Sequence, residues 1–307
     1  MPRGTGIPFQ PLLDFNPVKG LNEVERPIRL SNKDIVTGNN IDRDNKGVWR
    51  RRKGWEVLDE LTGAHSLCSN GKNLFYLLDG DLLRPNFNSV YAITSTTTMD
   101  TGWTDEPVDS VLINDILYLS NTSKIGCIDE GAFRDLTTPP TDKDELYTMV
   151  PGRLLTYYNG RLYSANGGVI WYSNPQDYEH LELKANFIPF PEQITMMKAT
   201  SKGIWVSADK IYFLRGGDAE DLVAEVKDTK KAVIGTAIQI NESEIDSRED
   251  GIVVIWLTHE GICFGSDNGN FTNLSEDKLN LSTNTIEGAS IVRYNQDGIQ
   301  QYIVSTN

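Results

Sequence analysis

Residues 158–175 read YNGRLYSANGGVIWYSNP and residues 200–217 read TSKGIWVSADKIYFLRGG, with NFIPFPEQITMMKA at 186–199 leading into the second. Both stretches follow one plan: a polar turn, a short alternating run, a tight turn and a second alternating run. Leu162-Tyr163-Ser164-Ala165 turns at Asn166-Gly167-Gly168 into Val169-Ile170-Trp171-Tyr172. Ile204-Trp205-Val206-Ser207 turns at Ala208-Asp209-Lys210 into Ile211-Tyr212-Phe213-Leu214. Aromatic and β-branched residues at period two, bounded by Gly, Asn and Asp, specify β-hairpins.

The same unit recurs on both sides. Leu74-Phe75-Tyr76-Leu77-Leu78 turns at Asp79-Gly80-Asp81, and Ile116-Leu117-Tyr118-Leu119-Ser120 turns through residues 121–124. Val254-Ile255-Trp256-Leu257-Thr258 turns at His259-Glu260-Gly261, and Gln301-Tyr302-Ile303-Val304-Ser305 comes last. Runs starting at 74, 116, 162, 204, 254 and 301 are spaced by 42, 46, 42, 50 and 47 residues. That period is one four-stranded propeller blade. The expectation is an all-β chain, a β-propeller of about six four-stranded blades, with the inner strands drawn from the six runs. A β-sandwich with uneven loops is the alternative architecture. The last run has no partner strand after it, so a strand from 48–52 or 55–58 is expected to close the final blade and cover its edge. Helical periodicity is scarce; 142–149 and 179–184 each suit a turn or two.

Residues 1–40 are read as an extended arm and 41–307 as the propeller domain. Pro2, Pro8, Pro11, Pro17 and Pro27 interrupt any helix in the arm, and its apolar residues are irregularly placed. Phe9, Leu12, Leu13 and Phe15 are therefore candidate docking residues, expected to lie on an adjacent copy. The chain has no apolar run of membrane-spanning length and no secretory leader pattern, so no membrane partner and cytoplasmic synthesis are expected. Cys68, Cys127 and Cys263 are odd in number and scattered, which fits neither a disulfide framework nor a zinc site.

The net charge of −14 disfavours nucleic-acid binding by the molecule as a whole. One basic island breaks the acidic background: Arg43, Lys46, Arg50, Arg51, Arg52 and Lys53. In an alternating strand, Arg50, Arg51, Arg52 and Lys53 put two cations on each face. They either protect a strand edge or face an acidic partner or DNA phosphates. Asp42 to Gly47 resembles the start of a calcium loop, but Lys46 occupies a ligand position and Lys53 stands where the closing Glu belongs, so a solvated turn is the better reading. Asp267-Asn268-Gly269-Asn270-Phe271 resembles part of the Asp-box turn of sialidase-type propellers, without its leading Ser. His65, His180 and His259 fall in different repeats, and no nucleophile, phosphate-loop or metal-ligand spacing is present. No enzymatic activity and no cofactor are expected.

Two sets of residues, taken in order, carry a family resemblance. The first is Gly20-Leu21-Asn22, then Asn40-Ile41-Asp42 and GVWRRRKGW at 47–55. The second comprises Gly160-Arg161-Leu162-Tyr163, Trp171-Tyr172-Ser173-Asn174-Pro175, FPEQIT at 190–195, Gly203-Ile204-Trp205-Val206, Tyr212-Phe213-Leu214-Arg215-Gly216 and Ile234-Gly235-Thr236-Ala237. The chain resembles virion proteins of tailed bacteriophages, including the tail-hub or nozzle proteins of short-tailed phages that stabilise packaged DNA. This chain is shorter than those hub proteins. The resemblance implies a non-enzymatic tail component, assembled in the host cytoplasm as a ring of six copies. Its implied partners are neighbouring tail or head–tail connector proteins and packaged DNA in the channel. A receptor- or glycan-binding propeller and a propeller hydrolase are the competing classes; aromatic residues around a pocket would favour the former and three acids on the axis the latter.

Overall fold

The computed structural model describes residues 61–89, 92–141, 145–241, 251–275, 287–294 and 300–306, with the backbone of four short strands before them. Those four are β1 (Gly20–Leu21) and β2 (Asp34–Ile35), which pair in parallel, and β3 (Ile41–Arg43) and β4 (Trp49–Arg51), an antiparallel hairpin. Five four-stranded antiparallel blades follow. Blade 1 holds β5 (His65–Ser69), β6 (Leu74–Leu78), β7 (Asp81–Phe87) and β8 (Ile93–Asp100). Blade 2 holds β9 (Asp109–Ile113), β10 (Ile116–Ser120), β11 (Ile125–Asp129) and β12 (Ala132–Asp135). After β13 (Leu146–Thr148) comes blade 3, with β14 (Leu154–Tyr158), β15 (Arg161–Asn166) and β16 (Val169–Tyr172); past β17 (His180–Glu182) it ends with β18 (Phe187–Pro189). Blade 4 is β19 (Met196–Ala199), β20 (Gly203–Ser207), β21 (Ile211–Arg215) and β22 (Val223–Asp228). Blade 5 is β23 (Ile238–Asn241), β24 (Ile252–Thr258), β25 (Gly261–Gly265) and β26 (Phe271–Asn273). β27 (Gly288–Tyr294) and β28 (Gln300–Thr306) form the hairpin of a sixth unit. The fold is a β-propeller.

Contacts between blades place the strands radially. The first strands touch in order, β5 to β9, β9 to β14, β14 to β19, β19 to β23 and β23 to β27, so they line the axis. The six aligned runs are therefore the second strands and not the innermost ones, which corrects the sequence expectation. A second strand is flanked on both edges and covered on both faces, so it is the most apolar of the four. An axial strand has one open side and carries polar residues.

The second strands share a register. Tyr76, Tyr118, Tyr163, Trp205 and Trp256 lie buried at the same level of blades 1 to 5. In three blades the sequence is aromatic–aliphatic–hydroxyl, ending at Ser120, Ser207 and Thr258, all buried. The cores sit between blades. Leu77 and Leu82 pack with Leu117 and Leu119; Tyr118 with Leu155 and Leu162; Tyr163 and Ile170 with Met197 and Ile204; Trp205 and Phe213 with Val254 and Trp256. Each such side chain contributes about 1.5–3 kcal/mol when fully buried. Contact is close: a Cβ at Gly265 would come within 2.5 Å of the Trp205 indole. Turn chemistry follows the sequence, since Asn114-Asp115 and Asn159-Gly160 have positive φ at both positions, as two-residue hairpin turns require.

Two further expectations are corrected. The segments read as short helices instead supply β13 and β17, which pair with each other, Tyr147 opposite Leu181. β-branched and aromatic residues with a partner strand outweigh a weak helical period. Residues 142–144 lie outside the described residues. Among the described residues the helical element is a single 3-10 turn, Ala219–Asp221. In the region proposed to close the last blade, residues 49–51 pair with β3, while 52–60 lie outside the described residues.

Candidate functional site

The mouth of the axis, where the first strands begin, collects charged residues from four blades. Asp109 opens β9, and its carboxylate accepts from Lys198 Nζ of β19 at 3.0 and 3.1 Å and from the Leu155 amide of β14 at 2.9 Å. Arg153, just before β14, donates to Glu287, just before β27, at 2.5 Å. Gln239 Nε2 donates to the Ala199 carbonyl, and the Ala199 amide donates to Thr156 Oγ1 at 3.0 Å. Both acids here face a cation, so the arrangement ties blades together at the axis. Among the described residues no group of three His, Cys, Asp or Glu is placed to hold a metal.

A second cluster lies between blades 2 and 3. His180 Nδ1 faces Asp177 Oδ1 at 2.9 Å, and its Nε2 faces the Thr137 carbonyl at 3.0 Å and Thr137 Oγ1 at 3.4 Å. Carboxylate, imidazole and hydroxyl are aligned, but the hydroxyl donates to Glu179 at 2.8 Å. On the Nε2 side the shorter contact is to the Thr137 carbonyl and not to its hydroxyl, so the cluster clips the 137 loop onto β17. Burial works against the Glu179 carboxylate, yet hydrogen bonds from Arg134 and from the Thr137 amide and hydroxyl hold its pKa below the usual value.

Cations clamp the other blade junctions. Lys124 bonds Asp100 and lies over the Trp103 and Phe133 rings. Buried Arg161 lies over Tyr172, bonds Asp218 through Nε at 3.0 Å and donates to the Ser173 carbonyl at 3.0 Å. Arg215 covers Phe213 and joins Glu225 to the Asn268 carbonyl. Burial pushes the Cys68 thiol up to about 12 and those of Cys127 and Cys263 to about 11, so none is an activated nucleophile.

The exposed surface differs. On the outermost strand of blade 4, Val223 and Val226 are 64% and 54% exposed. Phe187 on β18 and Leu274 after β26 are also exposed, on the rims of the flanking blades. On the face carrying the β14–β15 turn, exposed Tyr157 packs edge-on against Tyr178, ring centres 5.9 Å apart.

Of the residues singled out from sequence, Arg50 and Arg51 lie in β4, their backbones opposite Asp42 and Ile41. Arg52, Lys53, Phe9, Leu12, Leu13 and Phe15 lie outside the described residues. The axial pairs were missed, although a periodic signal existed. Asp109 and Lys198 are 89 residues apart, and Arg153 and Glu287 are 134 apart, near two and three repeat lengths.

No family model matches the chain, and no curated protein matches it. Solved structures do. One is an extracellular domain from B. thetaiotaomicron, of BT4673, described as a one-component system: TM-score 0.50, 10% identity, 78% of this chain and 30% of that one. The chain thus spans under a third of that domain. The N-terminal domain of Nup159 gives TM-score 0.48 at 10% identity, over 78% of this chain and 72% of that one. The WD40 β-propeller domain of Doa1 gives 0.46 at 10% identity, over 78% and 81%. The likeness is one of fold. Among the described residues no helix is long and apolar enough to cross a membrane.

Proposed function

We propose that this chain is a non-enzymatic structural and binding propeller of a tailed-phage virion, a hub, nozzle or tail-end ring component. Copies pack side by side about the tail axis, contact neighbouring tail or connector proteins, and help retain packaged DNA. The observation that carries the reading is the distribution of apolar surface. The axial pairs Arg153–Glu287 and Lys198–Asp109 are satisfied by one another, whereas Val223 and Val226 stand in water on the outer strand of blade 4, and Phe187 and Leu274 are exposed on blades 3 and 5. Exposed apolar residues on adjacent rims suit a protein neighbour. The order of residues resembling phage hub proteins supplies the setting.

The test is assembly. The full chain should form a ring by light scattering and negative-stain microscopy. Val223→Lys with Val226→Glu should leave a folded monomer with unchanged circular dichroism. A parent chain that stays monomeric at high concentration, or a double variant that still assembles, overturns the reading. A receptor- or glycan-binding role is the second reading, favoured by exposed Tyr157 against half-buried Tyr178, since tyrosines offer an apolar ring face beside a polar tip. Saturable glycan binding that Tyr157→Ala abolishes in an otherwise monomeric protein would select it.

A further inference from the structure

One arginine stands apart from the others. Arg134, Arg153, Arg161 and Arg215 each meet a carboxylate at 2.5–3.0 Å. Among the described residues no carboxylate pairs with Arg84, and its Nε is buried without a hydrogen-bond partner. The chain carries a net charge of −14, so acids to pair with it are plentiful. A guanidinium partly withdrawn from water with a donor unmade is costly, and the cost is removed when an anion supplies the acceptors.

The surroundings of Arg84 are rich in donors. It lies in β7, the third strand of blade 1. Residues two apart on a strand share a face, so Arg84 and Asn86 continue the face on which Leu82 packs with Leu117, Leu119 and Ile128 of blade 2. On β8, Thr97 stands opposite Arg84 and Ser95 opposite Asn86. Asn86 Nδ2 donates to Ser95 Oγ and to Thr97 Oγ1, both at 3.1 Å. Each hydroxyl thus accepts within the group and keeps its own proton to donate. The acids on this side are already engaged. Asp100, opposite Leu82, accepts from Lys124 Nζ and from Trp103 Nε1 at 2.7 Å, and Asp129 of blade 2 faces Arg134 at 3.6 Å. Ser95 is exposed, and Arg84, Asn86 and Thr97 are half-buried, so a small solute can reach the group from the rim.

We propose that Arg84, Ser95 and Thr97, held by Asn86, form a binding site for a phosphate group, as inorganic phosphate or as a phosphate monoester. A carboxylate has two oxygens, and the guanidinium fork would occupy both. Donors from three side chains suit an anion with at least three acceptor oxygens. Side chains directly opposite on paired strands start about 5 Å apart, within the span of one such anion. Duplex nucleic acid is disfavoured, because a single arginine on an acidic molecule does not offset a run of phosphates. The site is separate from the exposed valines of blade 4, and the inference stands whether or not the virion reading does.

Phosphate titration of the isotope-labelled full chain, with ionic strength held constant by chloride, is the test. The Ser95 and Thr97 amides and the Arg84 Nε–Hε signal should shift together and saturate. Arg84→Gln should weaken phosphate binding by about tenfold or more, and Thr97→Val by about threefold, with circular dichroism unchanged. Arg84→Lys keeps the charge but loses the fork, and should fall between the parent and Arg84→Gln. Lys72→Gln removes an exposed cation elsewhere on blade 1 and should leave binding unchanged. Phosphoserine distinguishes the sources: tighter binding than inorganic phosphate assigns the site to a monoester, equal or weaker binding to the free anion. Shifts that fail to saturate, binding that survives Arg84→Gln, or an equal response to acetate would each overturn the proposal. So would a DNA duplex that binds through Arg84 where phosphate does not.

Discussion

Ser207→Ala is the sharpest test of how the blades are tied. Ser207 ends β20, and its buried hydroxyl accepts the Ala232 amide of the linker to blade 5 at 3.0 Å. Thr195 Oγ1, in the linker entering blade 4, donates to the same oxygen at 2.8 Å. Alanine leaves the Ala232 amide buried without its acceptor, a cost of about 1–3 kcal/mol. The Thr195 hydroxyl loses less, because the Ser207 carbonyl lies within 3.4 Å. We expect a net loss of about 2 kcal/mol. Ser120 occupies the same place in blade 2, accepting the Gly152 amide at 2.9 Å, and Ser120→Ala should cost about 1–2 kcal/mol by the same argument. Being two blades apart, the changes should add to within about 0.5 kcal/mol. Urea unfolding of both single variants and the double, at constant m-value, provides the measurement. A Ser207→Ala loss below about 0.5 kcal/mol would refute the reasoning, because the hydroxyl would then hold nothing that water does not replace.

Two further outcomes are expected. Glu179 has a folded pKa below its unfolded one, so it stabilises the fold above the ordinary Glu value of about 4.3 and loses that effect as pH falls through the folded pKa. Glu179→Gln should be less stable than the parent at pH 7, with the gap closing as pH falls through the folded pKa; a gap independent of pH in urea titrations would assign the loss to packing. Native protein at pH 8 should leave all three thiols unreacted with a disulfide reagent, and denatured protein should give three. Fast reaction of any one thiol in the native state would contradict the burial described.

The parts of the fold legible in the sequence are those that one strand encodes by itself. The second strands announce themselves because burial on both faces selects aromatic and aliphatic residues in every blade, and turns such as Asn159-Gly160 mark their ends. The axial strands were harder to read. Asp109-Ser110-Val111 and Lys198-Ala199 look like linker until their partners are known, since polar groups there are satisfied across the axis. The β13–β17 ribbon was misread for a related reason: three residues of strand carry almost no period, and only the pairing of Leu146–Thr148 with His180–Glu182 defines them. Nothing in the sequence around Arg161 marks it as buried; its burial follows from Asp218 and Tyr172, which arrive from elsewhere in the chain.

The central claim is that this propeller works by packing against neighbours through its outer strands. A cryo-electron microscopy reconstruction of the assembled protein tests it most directly. The account predicts copies arranged about a common axis, each with β9, β14 and β19 innermost in its own propeller and with Val223 and Val226 covered at the contact between subunits. A reconstruction in which both valines face solvent in every copy, or in which the chain remains a lone propeller with its rims bare, would contradict it.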